Sequence, residues 1–300
     1  LCMRIAGNDF VPGSNTNENA VELCKLMESC GIDMFNVTGG WHESVVPQIT
    51  ADLPRGGFSY LAAAVHDAVT VPVAVSNRIN DPVVAERLLA VEAGDLVSIG
   101  RAMIADPDWP RKAQEGRSDE IRHCVACNQG CLSKTFFGRP IECLVNGDAG
   151  YEFERTHTPC KRPQRILVVG AGPAGCEFAL RAAQRGHQVT VWEKSSQLGG
   201  QLQMVSVPPG KQEFSTLPTY YEVMLQKSGV TLVRNKTASA EEIRSAGFDK
   251  VVVATGMVPK RIKLPRDGSV PVTTAYDILL KKVMAGRRVL VVGGGSVGCE

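Results

Sequence analysis

The sequence predicts an α/β protein in which strands and helices alternate to build parallel sheets, and three observations carry this prediction. Short β-rich runs alternate with helical stretches over residues 1–112. Residues 113–163 hold a cysteine cluster and a polar, Pro-rich stretch that is typical of a domain boundary. Residues 164–300 contain two Val-rich runs that each end in a Gly-rich turn. We therefore expect one domain at 1–112, a linker segment at 113–163 and a further domain at 164–300.

The composition is that of an ordinary globular protein. The 300 residues are 44% hydrophobic and 21% charged, and 33 basic against 31 acidic residues give a net charge of +2. This balance predicts neither nucleic acid nor a membrane surface as partner, and no run reaches the roughly 18 apolar residues of a transmembrane helix. No signal-peptide pattern is present, and half of the cysteines stand singly in apolar stretches, as reduced core cysteines do. We expect a cytoplasmic protein.

Four strand candidates recur in the first domain at the spacing of (β/α) units. They lie at residues 2–6, 34–38, 71–75 and 96–99, with amphipathic stretches between them. A (β/α)8 TIM barrel has eight such strands and about 250 residues. Because the sequence opens without Met and inside a strand, we expect the C-terminal half of a TIM barrel in a chain truncated at both ends. A small open sheet is the alternative.

Basic residues follow the predicted strands of this half-barrel. Arg78 and the pair Gly100 and Arg101 come just past strand ends, and Arg4 lies within the opening strand, directed toward the barrel mouth. Since the phosphate sites of TIM barrels lie at this end of the strands, we expect backbone N–H groups and guanidinium groups to bind a phosphate. His42 follows the second strand and can relay a proton there. Surface salt bridges and a merely exposed histidine are the competing interpretations.

The last domain opens with a Gly-rich turn between a strand and a helix. Gly170, Gly172 and Gly175 follow a Val-rich run, and Glu193 ends the next strand about 20 residues on. The first Gly allows the tight turn, the second lets the backbone approach a pyrophosphate, and the third packs the helix on the strand. The Glu193 carboxylate can accept from ribose hydroxyls. We predict a dinucleotide-binding site.

A second Gly-rich turn at Gly293, Gly295 and Gly298 repeats the pattern. We expect a strand at 287–292 before it, and a buried strand within KVVVATGMVP earlier in the domain. Two such units are how a flavoprotein reductase holds FAD in one and NAD(P)H in the other. A Gly-rich turn without a ligand is the alternative.

Cys124, Cys127, Cys131 and Cys143 follow the spacing C-x2-C-x3-C-x11-C. Zinc sites usually pair two C-x2-C units, which this spacing fits poorly. Four thiolates with one short C-x2-C and a remote fourth suit a [4Fe-4S] cluster, and the turn at 128–130 can offer backbone N–H groups to the sulfur atoms. We expect an iron–sulfur segment; zinc and a structural or disulfide role remain open.

Together these stretches resemble the group of 2,4-dienoyl-CoA reductase, 2-enoate reductase and trimethylamine dehydrogenase within the Old Yellow Enzyme superfamily. The likeness runs through essentially all 300 residues in unbroken order. It is carried by GGWHESVVPQIT, LPRGGFSYL, SNRINDP, SIGRAMIADPDWPRKAQEGR, CVACNQGC, ECLVN and both Gly-rich turns. The resemblance implies an N-terminal TIM barrel that holds FMN, a [4Fe-4S] cluster beside it, and a Rossmann-like domain that binds FAD and NAD(P)H.

The resemblance also implies roles for individual residues. The positions that match the family's FMN contacts are Arg4, Arg78, Gly100 and Arg101. The positions that match its FAD contacts are Gly172, Ala174, Gly175, Glu193 and Gln201. The four cysteines would ligate the cluster, and His42 matches a histidine that supports protonation of the substrate, with its partner Tyr upstream of residue 1.

The implied reaction is reduction of the C=C bond of an α,β-unsaturated acid, an enone or an enoyl- or dienoyl-CoA, including bile-acid-type substrates. Electrons would pass from NAD(P)H through FAD and the cluster to FMN. One alternative is an amine dehydrogenase of the trimethylamine dehydrogenase type, for whose aromatic bowl Trp41 is the candidate. The other is a non-catalytic electron-transfer fragment. The fragment alone is expected to be inactive, since a half-barrel exposes its terminal strands.

Overall fold

The computed structural model describes residues 1–41, 44–45, 50–155, 157–259, 268 and 270–300. The chain divides into two compact units, Leu1–Arg155 and Thr156–Glu300, each with its own parallel sheet. The cysteine segment falls within the first unit. None of the helices in the described residues combines the length and the hydropathy that a membrane span requires.

The first unit alternates strands and helices, as expected. Its strands are β1 (Cys2–Ala6), β2 (Met34–Thr38), β3 (Val73–Val75) and β4 (Leu96–Val97). Its helices are α1 (Asn17–Ser29), α2 (Ser59–His66), α3 (Pro82–Ala90), α4 (Arg101–Ala105), α5 (Trp109–Gln114) and α6 (Leu132–Phe136), with a 3-10 turn at Ser118–Glu120. The strands form one parallel sheet in the order β1-β2-β3-β4.

Capping residues fix where two of these helices begin. The Thr16 hydroxyl accepts the Asn19 N–H and the Asn19 side chain accepts the Thr16 N–H, which forms a capping box before α1. The Asp81 side chain caps α3, and Pro82 occupies its first turn, where a missing N–H has no consequence. These local signals fix where the loops between strands and helices end. They therefore help to determine the positions of the side chains at the strand ends.

The sheet of the first unit has one apolar and one polar face. The side chains packed in the core against the helices are Met3, Ile5, Phe35, Val37, Val73 and Val75. On the other face, Arg4 lies opposite Asn36 in the β1–β2 register, and the Asn36 amide donates to the Ser98 hydroxyl over 2.9 Å. Because side chains alternate along a strand, the polar groups are turned away from the helices.

The second unit has the sheet of a dinucleotide-binding fold. Its strands are β5 (Arg165–Val169), β6 (Gln188–Trp192), β7 (Thr231–Val233) and β8 (Lys250–Val253). Its helices are α7 (Pro173–Gln184), α8 (Leu202–Val205), α9 (Thr216–Lys227), α10 (Ala240–Ser245), α11 (Ala275–Leu279) and α12 (Ser296–Cys299), with a 3-10 turn at Gln212–Ser215. All pairings are parallel, in the order β7-β6-β5-β8. That order is the 3-2-1-4 arrangement of Rossmann sheets.

Three strand expectations need correction. β3 begins at Val73 rather than at residue 71, because Pro72 has no N–H for the ladder. β8 was expected to be buried but is an edge strand, with Val253 73% exposed. The run at 287–292 joins no strand of the described sheet, and Leu290 within it is 88% exposed. An apolar run forms a buried strand only where a neighbouring strand pairs with it and other elements pack over its faces.

Candidate functional site

A cavity of about 590 Å³ opens at the carboxyl ends of the strands in the first unit. The residues of its wall include Arg4, Ser76, Asn77, Arg78, Ser98, Gly100 and Arg101. All four residues expected to contact FMN therefore line one cavity. Its volume is in the range of sites that bind cofactors.

The turn after β3 fixes the position of Arg78. Asn77 and Arg78 both adopt left-handed backbone conformations, with φ of 74° and 56°, a strained state that is concentrated at functional sites. The Asn77 side-chain oxygen accepts the Thr38 hydroxyl and the Gly39 N–H, both at 3.0 Å. Arg78 is 6% exposed, and its Nε donates to the Leu53 carbonyl at 2.9 Å. Two loops therefore hold a buried guanidinium on the wall of the cavity, and sequence reasoning missed the contribution of Asn77.

Gly100 and Arg101 show that this wall suits a bound phosphate. Apart from its chain neighbours, no atom lies within 4 Å of the point where a Cβ at Gly100 would stand, so a phosphate can approach the backbone directly. Arg101 follows at once and begins α4. Exposed backbone and guanidinium groups together fit the phosphate of an FMN.

The four cysteines open into a second, smaller cavity of the same unit. Its lining includes Cys124, Cys127, Cys131, Cys143, Arg101, Asn128 and Gly130. In the part of the chain that the structure describes, no three His, Cys, Asp or Glu side chains form a site for one metal ion. Four cysteines that line one cavity are compatible with a cluster that takes one thiolate at each iron.

Backbone N–H groups point at the cysteine sulfurs. The Ala126 N–H donates to Cys124 Sγ at 3.4 Å, and the Gln129 N–H donates to Cys127. Cys143 accepts two more hydrogen bonds from the backbone that follows it. Hydrogen bonds to sulfur are one of the means by which proteins tune iron–sulfur clusters. Gln129 lies in the turn at 128–130 in which the sequence predicts such donors.

Burial controls the protonation of these thiols. It raises the pKa of Cys124 to about 11, and it also raises the pKa values of Cys127 and Cys143. The positive charge of Arg101 opposes the shift at Cys124, and that of Arg122 opposes it at Cys143. Since metals bind thiolates, loading of this site must release protons.

Gly130 brings the fourth cysteine next to the other three. Its carbonyl accepts the Glu142 N–H at 2.8 Å. A Cβ at position 130 would lie 2.7 Å from the Glu142 carbonyl oxygen and 3.0 Å from the Cys143 nitrogen. A side chain therefore cannot be accommodated there without moving the backbone that carries Cys143.

The Gly-rich turn of the second unit has the geometry that a dinucleotide needs. Gly170 has φ of +105°, and a Cβ there would lie 2.5 Å from the Ala254 carbonyl oxygen. A Cβ on Gly175 would collide with the Gly170 carbonyl, whereas the space beside Gly172 is open. The first and third Gly therefore serve packing, and the second leaves the backbone accessible to a pyrophosphate. Ala174 lies exposed in the first turn of α7.

Glu193 and Gln201 surround this turn. Glu193 is 7% exposed, and its two carboxylate oxygens accept the Ala171 N–H at 2.7 Å and the Ser195 N–H at 2.8 Å. The acid thus also holds the Gly-rich turn together, a role that sequence reasoning did not assign. The Gly199 N–H donates to the Ala171 carbonyl at 2.8 Å, and the Gln201 side chain donates to the Met257 carbonyl at 3.0 Å. An FAD fits a turn built in this way.

The second Gly-rich turn repeats the first in local geometry. Gly293 has φ of +114°, and a Cβ on Gly298 would collide with the Gly293 carbonyl. Gly295 precedes α12 and has open space where a side chain would stand. The turn therefore has the conformation of a nucleotide-binding turn, although the described residues directly before it, 287–292, do not form a strand.

His42, the expected catalytic residue, lies outside the described residues. Its neighbour Trp41 donates from the indole N–H to Asp9 Oδ1 at 2.7 Å and from the backbone N–H to the Ser44 hydroxyl at 3.2 Å. Asp9, at 2% exposure, was missed by sequence reasoning. The signal that could have found it is its position just past β1, at the same end of the sheet as the loop that follows β2.

Two family profiles match the chain. Residues 2–120 match the NADH:flavin oxidoreductase / NADH oxidase family. This segment of the chain belongs to that family. Residues 164–300 match the pyridine nucleotide-disulphide oxidoreductases, so the first unit is of the TIM-barrel flavin oxidoreductase type and the second is a nucleotide-binding domain. Residues 121–163, which contain the cysteine pattern, lie between the two matches.

Related oxidoreductases match nearly the whole chain. A metal reductase of Desulforamulus reducens is 46% identical over 304 aligned positions, which cover 100% of this chain and 46% of the relative. A cinnamate reductase of Clostridium sporogenes is 32% identical over 93% of this chain and 42% of the relative. The structure of a 2-naphthoyl-CoA reductase with 2-naphthoyl-CoA has a TM-score of 0.95 at 37% identity, over 99% of this chain and 46% of that chain. The chain thus spans less than half the length of these relatives.

Proposed function

We propose that the full-length protein is an NAD(P)H-dependent oxidoreductase that uses flavins and an iron–sulfur cluster to reduce a C=C bond conjugated with a carbonyl group. One observation carries the proposal. Arg101 and Cys124 line both the 590 Å³ cavity and the cysteine cavity. A flavin-type site and a four-thiol site with a common wall provide the proximity that electron transfer between two redox groups requires.

The described residues suggest how each group would be held. Arg4, Arg78, Gly100 and Arg101 would bind the FMN, and Cys124, Cys127, Cys131 and Cys143 would ligate a [4Fe-4S] cluster. Gly170, Gly172, Ala174, Gly175, Glu193 and Gln201 would contact FAD. Gly293, Gly295 and Gly298 would contact NAD(P)H. When bound, these groups supply hydride transfer and single-electron transfer.

The chain's own contribution is to bind, orient and protonate. The Asn80 amide donates to the Cys124 carbonyl at 2.6 Å, which ties the loop after β3 to the first cysteine. The buried Arg78 keeps a positive charge at the flavin-type cavity. His42 is proposed to support protonation of the carbon next to the carbonyl, because the loop that carries it follows β2 at the carboxyl end of the sheet.

The substrate class rests on two relatives. They are named for cinnamate, an α,β-unsaturated acid, and for 2-naphthoyl-CoA, an aromatic thioester. Both names describe a carbon–carbon unsaturation conjugated with a carboxyl or thioester carbonyl. Such a carbonyl must be polarised as an enolate develops. We propose an α,β-unsaturated acid, enone or acyl-CoA as substrate of this chain's full-length protein.

Anaerobic turnover of the full-length protein tests this proposal. NADH or NADPH is added together with a panel of cinnamate-type acids, cyclic enones and enoyl-CoA thioesters, and the saturated products are quantified by mass spectrometry. We expect nucleotide oxidation in step with loss of the C=C bond, and a decrease of about 100-fold or more in rate for His42→Ala. His66→Ala, in which a histidine bonded to Asp95 at 3.3 Å is removed from the same unit, is the matched control. A panel without any reduced product contradicts the proposal, as does oxidation of trimethylamine with a dye acceptor.

Reduction of a metal ion is a second candidate, favoured by the 46% identity to a protein named a metal reductase. Such a reaction needs electrons from the same groups but no proton at carbon. The same assay with a ferric chelate as acceptor separates the two. Ferric reduction without any C=C reduction across the panel would favour the metal.

A further inference from the structure

We propose that Arg101, held in place by Asn128, sets the reduction potential of the cluster that the four cysteines would ligate. The inference rests on the proposed function for the presence of that cluster. It goes beyond the proposed function by giving Arg101 a second task besides contact with FMN.

Arg101 lies on the wall of two cavities. It is the first residue of α4, directly after Gly100, and it lines both the flavin-type cavity and the cysteine cavity. A residue that served only a phosphate would need to face only the first of these cavities, as Arg4 and Arg78 do.

A hydrogen bond to Asn128 holds the Arg101 side chain. Arg101 Nη1 donates to Asn128 Oδ1 at 2.7 Å. Asn128 lies between Cys127 and Gln129 and has a left-handed backbone with φ of 57°, a conformation that Asn tolerates better than most residues. The side-chain oxygen of the cysteine loop therefore fixes one arm of the guanidinium at the cysteine cavity.

The positive charge of Arg101 would interact with the negative charge of the cluster. Four thiolates give an iron–sulfur cluster a net negative charge, and reduction adds one more. A fixed positive charge on the wall favours the reduced form, and the partly buried setting screens it little.

Arg122 provides a useful comparison within the same segment. It is 8% exposed, and its Nη1 donates to Asn146 Oδ1 at 3.1 Å. Arg122 does not line the flavin-type cavity. Arg101, in contrast, lines both cavities. Its positive charge is therefore placed to favour the reduced cluster on the side of the flavin-type cavity.

The test is a potentiometric titration of the full-length protein, followed by the EPR signal of the reduced cluster, with iron, sulfide and FMN measured in each variant. For Arg101→Gln we expect the ratio of reduced to oxidised cluster at a fixed potential to fall about tenfold, which corresponds to about 59 mV for one electron. Asn128→Gly removes the acceptor but suits the left-handed backbone, and we expect a shift in the same direction that is smaller. Arg139→Gln removes an equal charge from an exposed position of the same segment that lines neither cavity, and we expect no shift.

The outcomes separate this inference from the proposed function. Arg101→Gln or Asn128→Gly with full iron content and the wild-type potential overturns the inference and leaves the proposed function intact. Wild-type protein without iron and sulfide overturns both. If Arg101→Gln does not retain its iron, Asn128→Gly decides: a lowered potential in this variant supports the inference, and a wild-type potential overturns it.

Discussion

The indole N–H of Trp41 donates to Oδ1 of Asp9 across 2.7 Å, and this carboxylate is only 2% exposed. Oδ2 of Asp9 accepts the Ser14 hydroxyl at 2.5 Å, the Asn15 side-chain amide at 3.0 Å and the Asn15 N–H at 3.2 Å. One buried acid thus joins the loop after β1 to the loop after β2, in which His42 follows Trp41. The contact fixes Trp41, the residue that precedes His42 in the sequence.

Substitution of Asp9 should loosen both loops. Asp9→Asn replaces one acceptor oxygen by a donor, so at least one buried N–H or O–H loses its partner. This loss should decrease the local stability by about 1–3 kcal/mol. Hydrogen exchange of residues 7–16 and 39–45 measures this, and we expect roughly five- to hundredfold faster exchange. Trp41→Phe removes one hydrogen bond and keeps the ring, and should have a smaller effect. Equal exchange in Asp9→Asn and wild type would contradict the role assigned to the carboxylate.

The same contact should depend on pH. Burial raises the pKa of Asp9, but hydrogen bonds from Ser14, Trp41 and Asn15 outweigh burial and bring the pKa below its ordinary value of 3.8. A carboxyl whose pKa is depressed by folding contributes stability that is present above the unfolded pKa and is lost as the pH falls through the folded pKa. Protection factors of residues 7–16 should therefore decrease below about pH 4 in the wild type. In Asp9→Asn the same protection factors should not change with pH below about pH 4. An equal pH dependence in the two proteins would disprove the role assigned to the Asp9 carboxylate.

Gly130→Ala should prevent assembly of the cysteine site. The added Cβ would stand 2.7 Å from the Glu142 carbonyl oxygen, so the backbone that carries Cys143 must move away from the other three cysteines. We expect iron and sulfide content to fall by at least half, with far-UV circular dichroism unchanged. Gly147→Ala is the matched control, because no atom lies within 4 Å of its added Cβ. Full iron content in Gly130→Ala would show that the fourth cysteine needs no such contact.

Two glycines of one turn should differ in their effects. Gly172→Ala places a methyl group in open space, so the second unit should fold but bind less FAD, because the backbone becomes less accessible to the pyrophosphate. Gly175→Ala forces a Cβ against the Gly170 carbonyl, so the turn itself should be destabilised. We expect FAD content to fall in both variants, and the thermal midpoint of the domain to fall only in Gly175→Ala. A lowered midpoint in Gly172→Ala with normal FAD content would reverse the roles given to the two positions.

The strands and turns that sequence reasoning predicted well are those with local signals. Four parallel strands of the first unit lie within two residues of the expected runs, since alternating apolar residues and a Pro or Gly boundary determine them locally. The turn at Gly170–Gly175 likewise needs only its own glycines and the strand before it. The run at 287–292 is equally apolar, yet it joins no strand of the described sheet, because pairing depends on a neighbour that periodicity does not specify.

Contacts between distant loops could not be predicted from the sequence. Asn77 bonds to Thr38 and Gly39, and Arg101 bonds to Asn128. Each pair joins residues more than 25 positions apart, and no spacing rule connects them. Sequence reasoning therefore placed Arg101 at a phosphate but did not find its contact with the cysteine loop.

We propose that the four cysteines hold an iron–sulfur cluster that receives electrons from a pyridine nucleotide. Metal analysis of the full-length protein, together with its EPR spectrum after anaerobic addition of NADH or NADPH, tests this proposal. We expect about four iron and four sulfide per chain and an EPR signal of a reduced cluster that develops with the nucleotide alone. One zinc per chain, or free thiols without iron, would contradict it.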